Sequence, residues 1–210
     1  MTFASRQDAG SRLGRLLKDE GLTVDVVLGL PRGGVVVAAE VARVLEKPLD
    51  VLVVRKIGHP WFREFAVGAL AEPDVVILDQ DSLRRNPVGR GQLDAVIAEE
   101  SGRLRQYQEE FHRGGQLPGL AGKNVVLVDD GLATGATMEA AVRAAKRLDA
   151  RHVLVAVPVA STHAEQRLAD VADQVKALCV DDDFHAVGQY YGEFTQTTDA
   201  EVLALLSASS

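Results

Sequence analysis

The chain has 210 residues, 47% of them hydrophobic and 25% charged, which suits one α/β domain with a full core. Its net charge of −7 argues against a nucleic-acid partner, which would need a basic stripe, so ligand phosphates would be met by backbone amides and a few placed cations. A single cysteine, Cys179, excludes an internal disulfide and a cysteine-rich zinc site. No run approaches the ~18 apolar residues of a membrane span, and "MTFASRQDAG" lacks an apolar signal core, so a cytoplasmic protein without a membrane partner is expected.

In chain order, residues 5 to 19 read as a helix stopped by Gly21, with Ala9, Leu13, Leu16 and Leu17 on its apolar side. "VDVVLGL" (24 to 30) reads as a buried strand running into "PRGG", and 34 to 47 as a helix closed by Pro48. "LDVLVV" (49 to 54) is a second strand, followed by "RKIGHPWFREF" (55 to 65) as a loop. Residues 66 to 72 and 74 to 78 are expected to form a hairpin. An amphipathic helix follows over 92 to 111, within an insertion, 79 to 118, that breaks the βα rhythm. Strands at 124 to 128, 151 to 160 and 173 to 180 alternate with helices, the last of them at 161 to 171, and an irregular tail closes with a helix over 199 to 206. Strands alternating with helices predict a doubly wound, mostly parallel sheet flanked by helices, with ligands at the carboxyl ends of the strands. Three unusual loops fall there: 29 to 34, 55 to 65 and 129 to 137.

"VVLVDDGLATGAT" (125 to 137) is the most informative stretch. Asp129 and Asp130 end an apolar strand, where a carboxylate is costly unless it is solvated or holds a ligand. Such a pair can accept hydrogen bonds from two neighbouring sugar hydroxyls and hold a hydrated Mg²⁺. Ala133, Thr134, Gly135, Ala136 and Thr137 then offer small residues whose amides can converge on one phosphate at a helix start. The bland alternative is a strand followed by an N-capping Asp or Thr. In Pro31, Arg32, Gly33 and Gly34 the glycines permit an unusual backbone and the guanidinium can fork onto a phosphate; an ordinary βα turn is the alternative. Arg55 and Lys56 can neutralise a departing anion beneath a lid, with Trp61 and Phe62 exposed and Glu64 as its one carboxylate; a solvated strand edge is the alternative. In the tail, Phe184, His185 and Val187 can supply a flat apolar wall for a base, or plug the core.

The 125 to 137 stretch resembles the phosphoribosyl pyrophosphate (PRPP) signature of the type I phosphoribosyltransferases, and the likeness extends over most of residues 5 to 206. "VDDGLATGAT" is most similar to the adenine phosphoribosyltransferase version, with Ala133 where the enzymes for 6-oxopurines carry Asp. The chain is also similar to a group of bacterial phosphoribosyltransferase-domain proteins of about this length. The resemblance implies a single domain, 1 to 210, of the type I phosphoribosyltransferase fold. It also implies a small hood made from the 79 to 118 insertion and the 181 to 210 segment; the insertion could instead meet a second copy in a homodimer. It implies transfer of 5-phosphoribosyl from PRPP to a nitrogenous base with Mg²⁺ on Asp129 and Asp130, as in purine salvage. Ala133 to Thr137 would hold the 5′-phosphate, and Pro31 to Gly34 with Arg55 and Lys56 the pyrophosphate, through a cis peptide between Pro31 and Arg32. Asp129, Asp130, Lys56, Arg55 and Glu64 form the implied catalytic set. The rival reading is a PRPP-sensing regulator of the same fold without turnover. Adenine is the first acceptor to test, although Gly131 and the tail are closer to the hypoxanthine–guanine layout.

Overall fold

A computed structural model describes residues 2–63, 65–112 and 119–208. Helix α1 (Arg6–Asp19) starts at Ser5, whose hydroxyl accepts from the Asp8 amide, and ends before Gly21 in the left-handed region. Strand β1 (Val26–Gly29) leads into α2 (Gly33–Leu45), then β2 (Leu49–Val51). Strands β3 (Val54–Gly58), β4 (Ala66–Ala71) and β5 (Val75–Leu78) precede helices α3 (Gln80–Arg85) and α4 (Arg90–Phe111). The chain continues through β6 (Asn124–Val128), α5 (Ala136–Arg147), β7 (His152–Ser161), α6 (Thr162–Ala169) and β8 (Gln174–Asp181). A 3₁₀ turn at Val187–Tyr190 and α7 (Asp199–Ala208) complete it.

Five strands form a parallel sheet in the order β2-β1-β6-β7-β8, so the doubly wound expectation holds. Strand alternation explains how both faces are covered. Val27, Val126, Val128 and Leu154 point to a cluster with α1 and α2, while Leu28, Val125, Leu127 and Val155 point to one with α5. Helices α1 and α2 meet closely because Gly10 has no side chain: a Cβ there would lie 2.6 Å from the Val37 carbonyl oxygen.

The apolar run 49 to 54 is not one strand. After β2 the chain leaves the parallel sheet, with the Leu52 amide still bonded to the Gly29 carbonyl. Val53 is turned away by Glu72, whose carboxylate accepts from the Val53 amide at 2.6 Å. Residues 54 to 58 then pair with β4 in a separate antiparallel sheet, β3-β4-β5, so Arg55 and Lys56 lie in a strand rather than a loop. The 66 to 78 hairpin is present as expected, with a cis Glu72–Pro73 bond at its turn.

This small sheet is packed on both sides. Val54, Ala69 and Val75 join the α5 cluster; Ile57, Val67 and Leu70 join Val96, Leu104 and Phe111 of α4 and Val202 of α7. Residues 79 to 112 thus cover one face of β3–β5 and meet the C-terminal helix there. Helix α3, which the periodicity did not reveal, is short and starts at Asp79, whose carboxylate accepts from the amides of Asp81 and Ser82.

Candidate active site

Strands β1 and β6 are neighbours, and their carboxyl ends carry two of the predicted loops side by side. The Leu30 amide donates to the Val128 carbonyl at 2.9 Å, which seats the turn at Pro31 beside Asp129. The Pro31–Arg32 peptide is cis, as expected. The next two residues must be glycine because the acid pair lies against them. A Cβ on Gly34 would fall 2.8 Å from Asp129 Cα, and one on Gly33 would collide with Asp130 Oδ2. Arg32 precedes α2 without capping it through its side chain; its guanidinium lies 3.9 Å from Asp199 at the start of α7.

After the acid pair, Leu132 is pinned to β7 by bonds to the Val159 carbonyl and from the Ser161 amide, both 2.9 Å. The Ser161 hydroxyl donates to the Ala133 carbonyl at 2.6 Å. Gly135 takes a left-handed φ of 73° and starts α5 with no side chain of its own to cap it, while the Thr134 hydroxyl accepts from the Ala136 amide at 3.5 Å. Ala133 and Thr134 are exposed. Helix α2 thus begins uncapped against the acid pair, and α5 begins at the end of the loop the pair opens, with first-turn amides and positive dipole ends suited to anions.

Asp129 and Asp130 are half-buried, and Oδ1 of Asp129 accepts from the Asp130 amide at 2.8 Å. Burial, then the neighbouring Asp130 charge, pushes the Asp129 carboxyl well above the usual carboxylate range. Burial also raises Asp130, against the opposing pull of Arg6. Arg6 Nε stands 2.8 Å from Asp130 Oδ2, and the Tyr191 hydroxyl donates to the Asp130 carbonyl at 2.6 Å. The Tyr191 phenol is itself pushed up, first by burial and then by Asp130. Neither Arg6 nor Tyr191 was singled out from the sequence. Arg6 is 124 residues from its partner, and only the ring-rich tail "GQYYGEF" gave a signal for Tyr191.

Of the residues expected to wall a base, Val187 lies against Gly131, the residue after the acid pair: a Cβ there would come within 2.7 Å of its Cγ1. Phe184 lies one ring away, 5.3 Å from Tyr190. His185 is exposed and its Nδ1 sits 2.6 Å from the Asp183 carbonyl of its own loop. The cation pair separates. Arg55 turns to α4, where Glu100 holds it at 2.8 Å and the Tyr107 ring lies 5.4 Å away. The two-residue period of β3 puts Lys56 on the opposite face with Val54. Both residues nonetheless line one cavity between β3 and α4, with Arg63, Glu99, Glu100 and Arg103. Trp61 and Phe62 are exposed, as expected, at 61% and 69%. Glu64 lies outside the described residues. Among those residues, no group of three or more His, Cys, Asp or Glu could cage a metal. No helix among them is long and apolar enough to cross a membrane.

The phosphoribosyl transferase domain family matches residues 6–194. The Thermus thermophilus protein TT1426 is 46% identical over the full length of both chains, with a TM-score of 0.84. Two Mycobacterium tuberculosis proteins, each named "Putative phosphoribosyl transferase", are 45% identical over 97% of this chain. The chain spans about half, 46%, of the length of those curated relatives. A purine phosphoribosyltransferase from Pyrococcus horikoshii shares the fold at 18% identity over 90% of each chain, with a TM-score of 0.50. Matched by that family over residues 6–194 and 46% identical to a full-length relative of the same fold, the chain belongs to the phosphoribosyl transferase domain family.

Proposed function

We propose that the chain transfers a 5-phosphoribosyl group from PRPP to a nitrogenous base and releases pyrophosphate. One observation carries this reading: two half-buried carboxylates end β6 against the uncapped start of α2, and the loop they open leads into the start of α5, at the carboxyl ends of adjacent parallel strands. A sugar with a phosphate at one end and a diphosphate at the other matches that order of charge. Amides of Ala133 to Thr137 take the 5′-phosphate, Asp129 and Asp130 accept from the ribose hydroxyls, and the Pro31–Gly34 turn with Arg32 and Lys56 faces the pyrophosphate. As the C1–O bond breaks, positive charge grows on the sugar beside carboxylates already in place. The base nitrogen forms the new bond to C1 and loses its proton.

Asp129 and the Oδ1 edge of Asp130 fit a hydrated Mg²⁺, which when bound would neutralise charge on the pyrophosphate. Val187 beside Gly131 supports a base site next to the sugar. We take a nucleobase as the acceptor, adenine first because of Ala133, in a cytoplasmic purine-salvage setting. The test supplies PRPP and Mg²⁺ with adenine, hypoxanthine, guanine, uracil or orotate and follows pyrophosphate. Release that requires one of the bases supports a transferase. Tight PRPP binding without release on any base supports a sensor instead.

A further inference from the structure

We propose that Arg6 is a positioning residue for Asp130, held in place by the C-terminal tail, so that the two ends of the domain together set the sugar-binding carboxylate. The proposal rests on the PRPP reading above and deepens it.

Arg6 is the first residue of α1, and its side chain is only 11% exposed. Three contacts fix its guanidinium. Nε binds Asp130 Oδ2 at 2.8 Å, Nη1 donates to the Thr195 carbonyl at 2.7 Å, and its Cζ lies over the Phe194 ring, 3.9 Å from the centroid. A guanidinium so engaged has little rotational freedom left, so the carboxylate it grips is fixed as well. The bond takes Oδ2, which leaves Oδ1 to accept from a ribose hydroxyl. Without Arg6, two adjacent carboxylates in a half-buried site would repel each other, and Asp130 would lose its orientation.

The tail is in turn tied to the start of the chain. The Phe3 amide donates to the Tyr190 carbonyl at 2.7 Å, Gly192 to Phe3 at 2.8 Å and Glu193 to Ala4 at 3.0 Å. Tyr191 reaches the main chain of the same aspartate, through its hydroxyl on the Asp130 carbonyl. Residues 2 to 6 and 190 to 195 thus form one strap that touches Asp130 from the side chain and from the backbone. The diphosphate turn meets the same point, since a Cβ on Gly33 would lie 2.9 Å from Arg6 Nε as well as against Asp130. Helix start, tail, turn and acid pair converge on one ion pair.

The experiment measures PRPP affinity with Mg²⁺ by calorimetry, and unfolding temperature, for the wild type, Arg6→Ala, Arg6→Lys and Phe194→Ala. Supporting residues of this kind cost about 10- to 100-fold when removed. Arg6→Ala should therefore weaken PRPP at least about tenfold at a temperature where it is folded, Arg6→Lys should recover part of that loss, and Phe194→Ala should weaken PRPP less than Arg6→Ala. A structural role alone would lower the unfolding temperature and leave affinity unchanged. Arg6→Ala binding within about twofold of wild type overturns the proposal. Should Arg6→Ala not fold, unchanged affinity in both Arg6→Lys and Phe194→Ala overturns it. A wild type that does not bind PRPP overturns the proposed function, and this inference with it.

Discussion

At the ends of β1 and β6 the candidate site residues hang on two adjacent interior strands of the parallel sheet, whereas around β3 and β4 they stand on a small sheet with an exposed tip. The first region is held by main-chain bonds and close glycine contacts: Leu30 on Val128, Leu132 on Val159, and Gly33 and Gly34 against the carboxylates. The second adds a cluster of charged side chains to its apolar packing. Arg55 and Arg103 bind Glu100, and Arg63 and Arg103 bind Glu99, around a cavity of about 410 Å³ between β3 and α4. At its tip Trp61, Phe62 and Phe65 are exposed around the buried His59 ring. Backbone geometry resists change, which suits groups that must be in place before a reaction; the outer Arg63–Glu99 pair and the exposed rings give way cheaply, which suits a lid.

The largest stability effect is expected at the joint between the regions. His112, at the end of α4, binds Glu72 at 3.0 Å and faces Asp50 on β2 at 3.6 Å, with Gln108 also on Glu72. Replacing it with alanine leaves Glu72, 2% exposed, without its cation and should cost about 3 to 5 kcal/mol. Burial works to lower the His112 pKa, but the bonds to Asp50 and Glu72 override it and carry it from 6.5 up to about 9. A pKa raised in the folded state means stability fully present below about 6.5 and lost as pH rises through about 9. Chemical unfolding of wild type and His112→Ala across that window should show this fall in the wild type only. Equal pH profiles would contradict the joint.

Gly34→Ala comes next. Its Cβ would meet the Asp129 backbone at 2.8 Å, so main chain must shift; overpacking of this kind costs about 1 to 3 kcal/mol. PRPP affinity should fall far more than stability does, measured by calorimetry on the folded variant. Affinity that merely tracks stability would blur the contrast between the regions. Smallest in stability is the paired change Trp61→Ala with Phe62→Ala, within about 0.5 kcal/mol because both rings are exposed. Its effect should show in turnover instead, as a lower kcat with PRPP affinity nearly kept. A large drop in unfolding temperature would mean that the tip is structural.

The first region was legible in the sequence and the second only partly, for a physical reason. An apolar strand ending in two aspartates, then Thr-Gly-Ala-Thr, constrains backbone and chemistry within a few neighbouring residues, and local constraint is what a sequence displays. The same holds for the Pro-Arg-Gly-Gly turn, whose cis peptide was implied by the family resemblance. The switch of sheets at Leu52 and Val53 left no such mark, because an apolar run reads alike in either sheet; the switch depends on Glu72, nineteen residues on. Arg55 and Lys56 look like a pair in sequence, yet a strand sends neighbours to opposite faces. Arg6 was invisible because what gives it meaning, Asp130 and the tail, arrives only when the chain ends come together.

The central claim is that the acid pair holds the sugar of PRPP, and calorimetric titration of PRPP with Mg²⁺ into wild type and the double variant Asp129→Asn with Asp130→Asn tests it most directly. The account predicts clear binding by the wild type and loss of about 100-fold or more in a variant that stays folded, since the site's ligand-facing carboxylates are gone. Equal affinity in the two proteins would contradict it.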